Sequence, residues 1–138
     1  MRKVISWDEY NMNSAIQSAE RSKDPHTQVG AYICDTHNNP VSRGYNGFPR
    51  GIEDTAERWE RPTKYLYVIH AEVNAIMNAR SSVRGCKLYV TLHPCSRCAL
   101  MVAASGIKEI FVKDIRDDDD TALSKEILLE SWITTHIV

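Results

Sequence analysis

Two short motifs, "VIHAEVNAI" at residues 68–76 and "HPCSRCALM" at residues 93–101, constrain the fold most strongly. The first is mostly apolar but carries His70 and Glu72 near its start, and burial without partners would cost each on the order of a few kcal/mol. In the second, Cys95 and Cys98 are three residues apart, so both thiols lie on one face of a helical turn. Two such helix starts side by side would offer one nitrogen and two sulfurs, a donor set typical of zinc.

Only three ligands are evident, and their number indicates the kind of metal site. A structural zinc ion is closed by four protein ligands, whereas a catalytic ion keeps one position for water. His93 is a candidate fourth ligand, but it lies at the end of a strand and we expect it to point elsewhere. A redox dithiol is the alternative for Cys95 and Cys98 alone. It would leave the polar pair of the first motif unexplained, so we favour a catalytic metal site.

Glu72 is interpreted as the proton-transfer group of this site. It lies two residues from His70, near the start of the same predicted helix, where it can approach a water at the metal without binding the metal. Zinc lowers the pKa of a bound water to about 7, and a neighbouring carboxylate can pass the proton to a leaving group. The alternative is an ordinary first-turn glutamate favoured by the helix dipole. The three-ligand site favours the catalytic role.

Charge and composition argue against several other classes of protein. The 138 residues include 17 basic and 18 acidic side chains, which gives a net charge of −1 and no general excess of positive charge for nucleic acid. The N-terminus "MRKVISWDEY" lacks the apolar run of a signal peptide. No segment approaches the roughly 18 apolar residues of a membrane span. We therefore expect a cytoplasmic protein with reduced cysteines and no membrane or nucleic-acid partner.

Hydrophobic periodicity predicts elements in the order α-β-β-α-β-α-β-α-β. Ser6 and Glu9 form a capping box at the first helix, which Pro25 is expected to end, and Gly106 should end the third helix. The predicted strands are 29–36, 41–46, 87–92, 108–114 and 131–138, and the later helices are 70–80, 95–105 and 117–130. A hairpin followed by β-α-β units predicts one α/β domain, residues 1–138, with a five-stranded mixed sheet covered by helices on both faces.

Three other features have less specific interpretations. Residues 47–66 show no periodicity and are predicted to form a long loop, a feature that is often functional. Cys34 and Cys86 are expected to be small buried core thiols. The acidic run Asp117–Asp120 is interpreted as a solvated helix start whose charge suits the helix dipole.

Five motifs in order resemble the deoxycytidylate (dCMP) deaminases. They are "RSKDPHTQVGA" (21–31), "GYNGFPRG" (44–51), "KYLYVIHAEVNAIMN" (64–78), "GCKLYVTLHPCSRCA" (85–99) and "SGIKEI" (105–110). Within them, H-A-E is followed after 21 residues by P-C-S-R-C, which matches the H-x-E…P-C-x-x-C signature of zinc deaminases. The resemblance implies a three-layer α/β/α cytidine-deaminase-like fold and hydrolysis of dCMP to dUMP and ammonia, which feeds thymidylate synthesis.

The resemblance also assigns roles to residues of the site. His70, Cys95 and Cys98 would hold one zinc ion, and Glu72 would shuttle protons. Asn46 would contact the sugar, although the alternative of a turn asparagine before a glycine stays open. The backbone amide of Ala71 would meet the pyrimidine carbonyl, and Pro94 is assigned to the substrate site.

Members of this family are commonly hexamers that dCTP activates and dTTP inhibits at a second site between subunits. The resemblance therefore implies a homo-oligomer, and it suggests Mg²⁺ together with a bound triphosphate effector. Five residues are candidates for binding phosphate or effector: Lys23, Asp24, Gly47, Arg50 and Lys64. The alternative for the cations is a solvated loop charge. Residues 52–69 contain no Cys or His, so we expect no second zinc site of the kind that some viral members carry there.

Three other functions remain as alternatives. A tRNA adenosine deaminase shares H-A-E and P-C-x-x-C, but RNA binding depends on basic residues and this chain is not basic. A cytidine deaminase acting on free nucleosides usually places its motifs differently. A zinc or nucleotide-binding protein without activity is the alternative from another class.

Overall fold

A five-stranded mixed sheet forms the centre of the structure, a computed structural model that describes residues 1–138. The strands are β1 (Gly30–Cys34), β2 (Pro40–Tyr45), β3 (Lys87–Leu92), β4 (Glu109–Asp114) and β5 (Thr134–Ile137). Their order across the sheet is β2-β1-β3-β4-β5. β1 is antiparallel to both neighbours, while β3, β4 and β5 run parallel. This arrangement confirms the predicted sheet.

Helices cover both faces of the sheet, as predicted. On one face α1 (Trp7–Ala19) buries Met12 and Ala15 against aromatic residues of β1, β3 and β4. On the other face lie α3 (Ala71–Asn78) and α4 (Ser96–Ser105), with α5 (Asp119–Glu130) packed beside α4. The three layers thus match the α/β/α class. No helix is both long enough and apolar enough to cross a bilayer.

Local signals explain where most helices begin and end. The Ser6 hydroxyl accepts a hydrogen bond from the amide of Glu9 at 3.1 Å, so α1 begins at the predicted capping box. Gly106 ends α4 with a φ of 84°, in the left-handed region that favours glycine. The prediction that α1 extends to Pro25 was wrong, because the helix ends at Ala19. The carboxylate of Asp24 instead accepts backbone amides two and three residues ahead, a local bond that competes with helix formation.

The segment between β2 and α3 is more ordered than the sequence suggested. It contains α2 (Ala56–Trp59) and a 3₁₀ turn over residues 63–66. Phe48 stacks on Trp59 with ring centroids 4.2 Å apart, and the Trp59 indole donates to the Asp54 carboxylate at 3.1 Å. Each element is about one turn long, too short to produce a periodic pattern. The loop is therefore folded around its own aromatic side chains.

A buried ion pair joins this segment to the loop that follows α1. Lys64 Nζ lies 2.7 Å from Asp24 Oδ2, and the two side chains are 6% and 2% exposed. Burial raises the pKa of the Asp24 carboxyl, but the Lys64 ammonium and the His26 and Thr27 amides hold it below its usual value. Lys64 is therefore not the solvated loop charge that the sequence left as an alternative.

The close approach of α1 to the sheet depends on Gly30. A Cβ atom at this position would lie 1.8 Å from the carbonyl oxygen of Ala15, which no side chain tolerates. Helix and sheet thus meet with almost no space between their backbones.

The two thiols predicted to be core residues, Cys34 and Cys86, are free and buried.

Replacement of Lys64 should strongly destabilise the protein. Lys64→Met leaves the Asp24 carboxylate buried without its cation, which typically costs about 3–5 kcal/mol. Urea unfolding measures this loss, and the double variant Lys64→Met/Asp24→Asn should recover part of it.

The exposed pair between Lys23 and Asp54 is the matched control. Its atoms are 3.0 Å apart, but the side chains are 61% and 31% exposed, so Lys23→Met should cost less than about 1 kcal/mol. Equal losses for the two lysine variants would contradict the role of burial.

Candidate metal and catalytic site

The starts of α3 and α4 bring the two sequence motifs together. His70 is the N-cap of α3, and Cys95 is the N-cap of α4, with Cys98 in the first turn. His70 Nδ1 lies 3.5 Å from Cys95 Sγ and 3.2 Å from Cys98 Sγ. The three donor atoms all lie within 4.8 Å of one another. Residues 25 and more positions apart in the chain thus form one cluster.

The dimensions of this cluster fit a tetrahedral zinc ion. Zinc binds nitrogen at about 2.1 Å and sulfur at about 2.3 Å, so tetrahedral N and S ligands lie about 3.6 Å apart. The observed N–S distances of 3.5 and 3.2 Å are close to that value. No fourth His, Cys, Asp or Glu joins the cluster. His93 points elsewhere, with Nδ1 3.0 Å from the Pro94 carbonyl. The donors therefore leave one coordination position open.

Electrostatics within the cluster favour binding of a cation. A hydrogen bond from the Cys98 thiol, assisted by His70, lowers the pKa of Cys95 to about 4, although burial opposes this change. The same bond and burial raise the pKa of Cys98. The hydrogen bond to Cys95 raises the pKa of His70 against the effect of burial. The cluster therefore shares protons around one thiolate, and a metal ion would displace them.

Glu72 lies in the first turn of α3 beside this cluster. Glu72 is only 3% exposed, yet it lines the same cavity as His70 and Cys95. Burial raises the pKa of its carboxyl, while the nearby Cys98 and His70 oppose the rise. A buried carboxyl group whose pKa is raised accepts a proton more readily than an exposed one and can pass it to a bound molecule.

A cavity of about 170 Å³ opens in front of these groups. Its wall also includes Asn46 and Ala71, two of the residues assigned to substrate. Asn46 is 6% exposed, and its side chain bonds within the chain: Oδ1 accepts from the Val29 amide at 2.9 Å, and Nδ2 donates to the Thr27 carbonyl at 2.9 Å. Pro94 is fully buried and lies outside the lining.

The five candidates for phosphate or effector binding lie in three different environments. Asp24 and Lys64 line the cavity as the buried ion pair. Lys23 and Arg50 are exposed and lie outside the cavity lining. Gly47 is buried and pairs with Ile69 in an isolated bridge just before α3. The structure therefore does not bring these five residues together.

Sequence reasoning missed two cations of the cavity wall. Arg61 and Arg116 both line the cavity, and neither side chain makes a hydrogen bond or ion pair within the chain. Arg61 precedes the 3₁₀ turn, and Arg116 lies between β4 and α5, so no local pattern connects them. The only signal was that Arg116 follows a strand parallel to β3, whose end also faces the site.

The acidic run at the start of α5 also reaches the site, because Asp118 and Asp120 line the cavity. The sequence did not indicate this. Asp118 accepts from the Thr121 amide at 2.8 Å and caps α5, as a helix-start residue should. Asp120 accepts two hydrogen bonds from Ser96 in α4. The interpretation of this run as a merely solvated helix start was therefore incomplete.

Comparisons with known proteins agree with these motifs. Residues 5–114 match the model of the cytidine and deoxycytidylate deaminase zinc-binding region. Deoxycytidylate deaminase from Homo sapiens is 48% identical over 132 residues, which cover 90% of this chain and 74% of the human protein. The enzyme of the same name from Pongo abelii is 47% identical over 134 residues, covering 91% and 75%.

A solved structure shares the whole fold. The crystal structure of dCMP deaminase from the cyanophage S-TIM5 in complex with dCMP and dUMP matches with a TM-score of 0.81, covering 99% of this chain and 100% of that one. Its sequence is 22% identical, so this likeness supports the fold alone. The mammalian relatives are 47–48% identical over about nine tenths of the chain, and the family model matches residues 5–114. The chain therefore belongs to the cytidine and deoxycytidylate deaminase family of zinc-binding proteins.

Proposed function

We propose that the protein is a zinc-dependent deoxycytidylate deaminase, which converts dCMP and water to dUMP and ammonia and so supplies dUMP for thymidylate synthesis. The observation that carries this proposal is the three-donor cluster beside the buried carboxyl of Glu72, at the wall of one cavity. The mammalian relatives of that name, at 47–48% identity, support the choice of substrate. The whole chain, residues 1–138, would form one catalytic domain.

The metal would be held by His70, Cys95 and Cys98. Zinc bound by these residues supplies an activated water as the nucleophile at neutral pH. The two helix starts contribute as well, because their positive dipole ends stabilise the thiolates. His70 and Cys95 are N-cap residues, so their side chains project from the helix ends toward the cavity rather than along the helices.

Glu72 would transfer the protons of the reaction. Its carboxylate takes one proton from the attacking water and delivers it to the ring nitrogen of the pyrimidine. A second transfer carries the proton of the hydroxyl group now on the ring carbon to the exocyclic amine, the carbon–nitrogen bond breaks, ammonia leaves and the hydroxyl oxygen becomes the carbonyl of dUMP. The burial that raises the Glu72 pKa suits a group that must both accept and donate a proton near neutral pH.

The pyrimidine and sugar would be oriented by the start of α3 and by Asn46. Ala71 is the first residue of α3, so its amide has no acceptor within the helix and is available to the pyrimidine carbonyl. The Asn46 amide group already bonds to Thr27 and Val29, which leaves one Oδ1 lone pair to accept from a sugar hydroxyl. Asn46 would thus serve both the loop and the substrate.

The phosphate would be bound by Arg61 and Arg116. Both residues line the cavity and neither side chain forms a hydrogen bond or ion pair within the chain, whereas Lys64 is neutralised by Asp24. Arginine binds phosphate through paired hydrogen bonds. Two such groups at one cavity favour a nucleotide over a nucleoside.

Regulation and assembly are proposed on the family resemblance. The protein would form a homohexamer in the cytoplasm, with dCTP and Mg²⁺ as activator and dTTP as inhibitor. The contact between Lys23 and Asp54 supports an effector surface outside the cavity, because it joins the loop after α1 to the loop that carries Arg50. Exposed apolar side chains on α3 and α4, including Met77 and Leu100, support self-association.

The substrate is tested by measuring ammonia release from zinc-loaded protein. We expect turnover of dCMP and at least about 10-fold lower kcat/KM for deoxycytidine, because the phosphate contacts are missing. dCTP, 5-substituted dCMP and an RNA that contains adenosine complete the panel. Product formed only from adenosine in RNA would replace the proposal with an RNA deaminase. No ammonia from any of these compounds would favour a protein that only binds zinc or nucleotide.

Replacement of the proton-transfer group separates chemistry from metal binding. Glu72→Gln keeps a side chain of the same shape but cannot cycle a proton, so we expect a loss of at least about 100-fold in kcat. Zinc content and the far-UV circular dichroism spectrum should stay unchanged. Retained turnover would remove Glu72 from the mechanism.

The role of the two arginines is tested by comparing a nucleotide with a nucleoside. Arg116→Gln or Arg61→Gln should raise KM for dCMP by about 10-fold, the effect of losing a charged hydrogen bond. The kcat/KM for deoxycytidine should change little. Arg80→Gln is the matched control, because this arginine is exposed and lies outside the cavity lining. Equal losses for both substrates would assign the arginines to folding rather than to phosphate binding.

A further inference from the structure

The short turn that carries Cys95 is stabilised by hydrogen bonds to two other elements, β4 and α5. This ligand turn, residues 93–96, connects β3 to α4. Its first amide, from His93, donates to the Asp114 carbonyl at the end of β4 at 2.8 Å. The Pro94 carbonyl accepts from the Ser124 hydroxyl at 2.6 Å, and Ser124 is fully buried. The end of β4 and the first half of α5 therefore support this turn.

The strongest of these contacts comes from Asp120. Its carboxylate accepts from the Ser96 amide at 3.0 Å and from the Ser96 hydroxyl at 2.6 Å. These bonds hold the pKa of Asp120 below its usual value. Asp120 lies in the first turn of α5 but stabilises the first turn of α4, so it connects two helices rather than capping its own.

Helix α4 needs such a contact because its N-cap residue cannot provide one. A helix usually begins with a side chain that accepts a hydrogen bond from its first amides. α1, α2 and α5 each have such a cap, from Ser6, Thr55 and Asp118. α4 has Cys95 at this position and no side-chain cap, because the Cys95 thiol is one of the three clustered donor atoms. Asp120 thus replaces the missing cap from outside the helix.

Helix α3 provides a contrast within the same site. Its N-cap residue is His70, another expected metal ligand, and the His70 side chain does not cap the helix. Unlike α4, α3 receives no hydrogen bond at its first amides from a side chain of another element. The amide of Ala71 is left for substrate in the proposed function. Only the helix that supplies both sulfur ligands is capped by a second element. The difference argues that the contact serves the sulfur ligands and not helix ends in general.

We propose that Asp120 and Ser124 are positioning residues, which fix the ligand turn so that Cys95 and Cys98 meet the metal ion in one geometry. This inference rests on the proposed zinc site but not on the identity of the substrate. Asp120 does not contact the donor atoms themselves. It acts through Ser96, which lies between the two cysteines in the chain.

Loss of the contact should loosen the metal. Groups that orient metal ligands typically change metal affinity by about 10–100-fold when they are removed. Asp120→Ala should therefore release zinc to a chelator about 10–100-fold faster than the unmodified protein. Ser124→Ala should act in the same direction, because it frees the Pro94 carbonyl. In the cobalt-substituted protein, Asp120→Ala should shift or weaken the thiolate-to-metal absorption bands.

Two further variants separate geometry from charge and from general damage. Asp120→Asn keeps an oxygen for the Ser96 amide and an amide that can donate to the Ser96 hydroxyl, so zinc release should stay within about 3-fold of the unmodified rate. Asp119→Asn is the matched control. It removes the same charge from the preceding residue, whose side chain makes no hydrogen bond to Ser96, and zinc release should not change. Circular dichroism shows that each variant is folded.

The outcomes distinguish this inference from the proposed function. Fast zinc release from Asp120→Ala, with rescue by asparagine, supports the positioning role whether or not dCMP is the substrate. Equal release from Asp120→Ala and Asp119→Asn overturns the positioning role and leaves dCMP deamination intact. A normal metal site in every variant together with no turnover of dCMP overturns both. Unmodified protein that binds no zinc also overturns both.

Discussion

The site depends on two helices that begin side by side on one face of the sheet. Residues of α3 and α4 belong to one core cluster, and the donor atoms at the starts of the two helices lie within 4.8 Å of one another. The imidazole of one start then lies 3.2–3.5 Å from the thiols of the other. The helix dipoles, the cavity and the open coordination position all follow from this meeting.

Much of this arrangement could be predicted from the sequence because the signals are local. His70, Cys95 and Cys98 were identified by their spacing relative to helix starts, and the strand at 87–92 was predicted with its observed ends. Each of these features depends on side chains within one or two turns of one another. The family motifs added the reaction, which no spacing by itself could supply.

The remaining features could not be predicted because they depend on contacts between distant segments. Lys64 and Asp24 are 40 residues apart, and nothing near either residue indicates that they form a buried pair. Asp120 is one of four consecutive aspartates, and its bond to Ser96 is decided only by how α5 lies against α4. Asn46 was predicted either to hold a turn or to face the substrate. The structure gives it bonds within the loop and also a place at the cavity wall.

The uncapped start of α3 has a thermodynamic consequence. The side chain of its N-cap, His70, accepts no hydrogen bond from the amides of the first turn, so no side chain caps this helix. A nucleotide that binds there would accept hydrogen bonds from these amides, a metal ion would bind the His and Cys side chains beside them, and both would bind the folded state only. By mass action, a ligand at 100 times its dissociation constant adds about 2.7 kcal/mol to the free energy of unfolding. Part of the stability of this fold is therefore set by the concentrations of small molecules around it, and the polypeptide by itself specifies only the remainder.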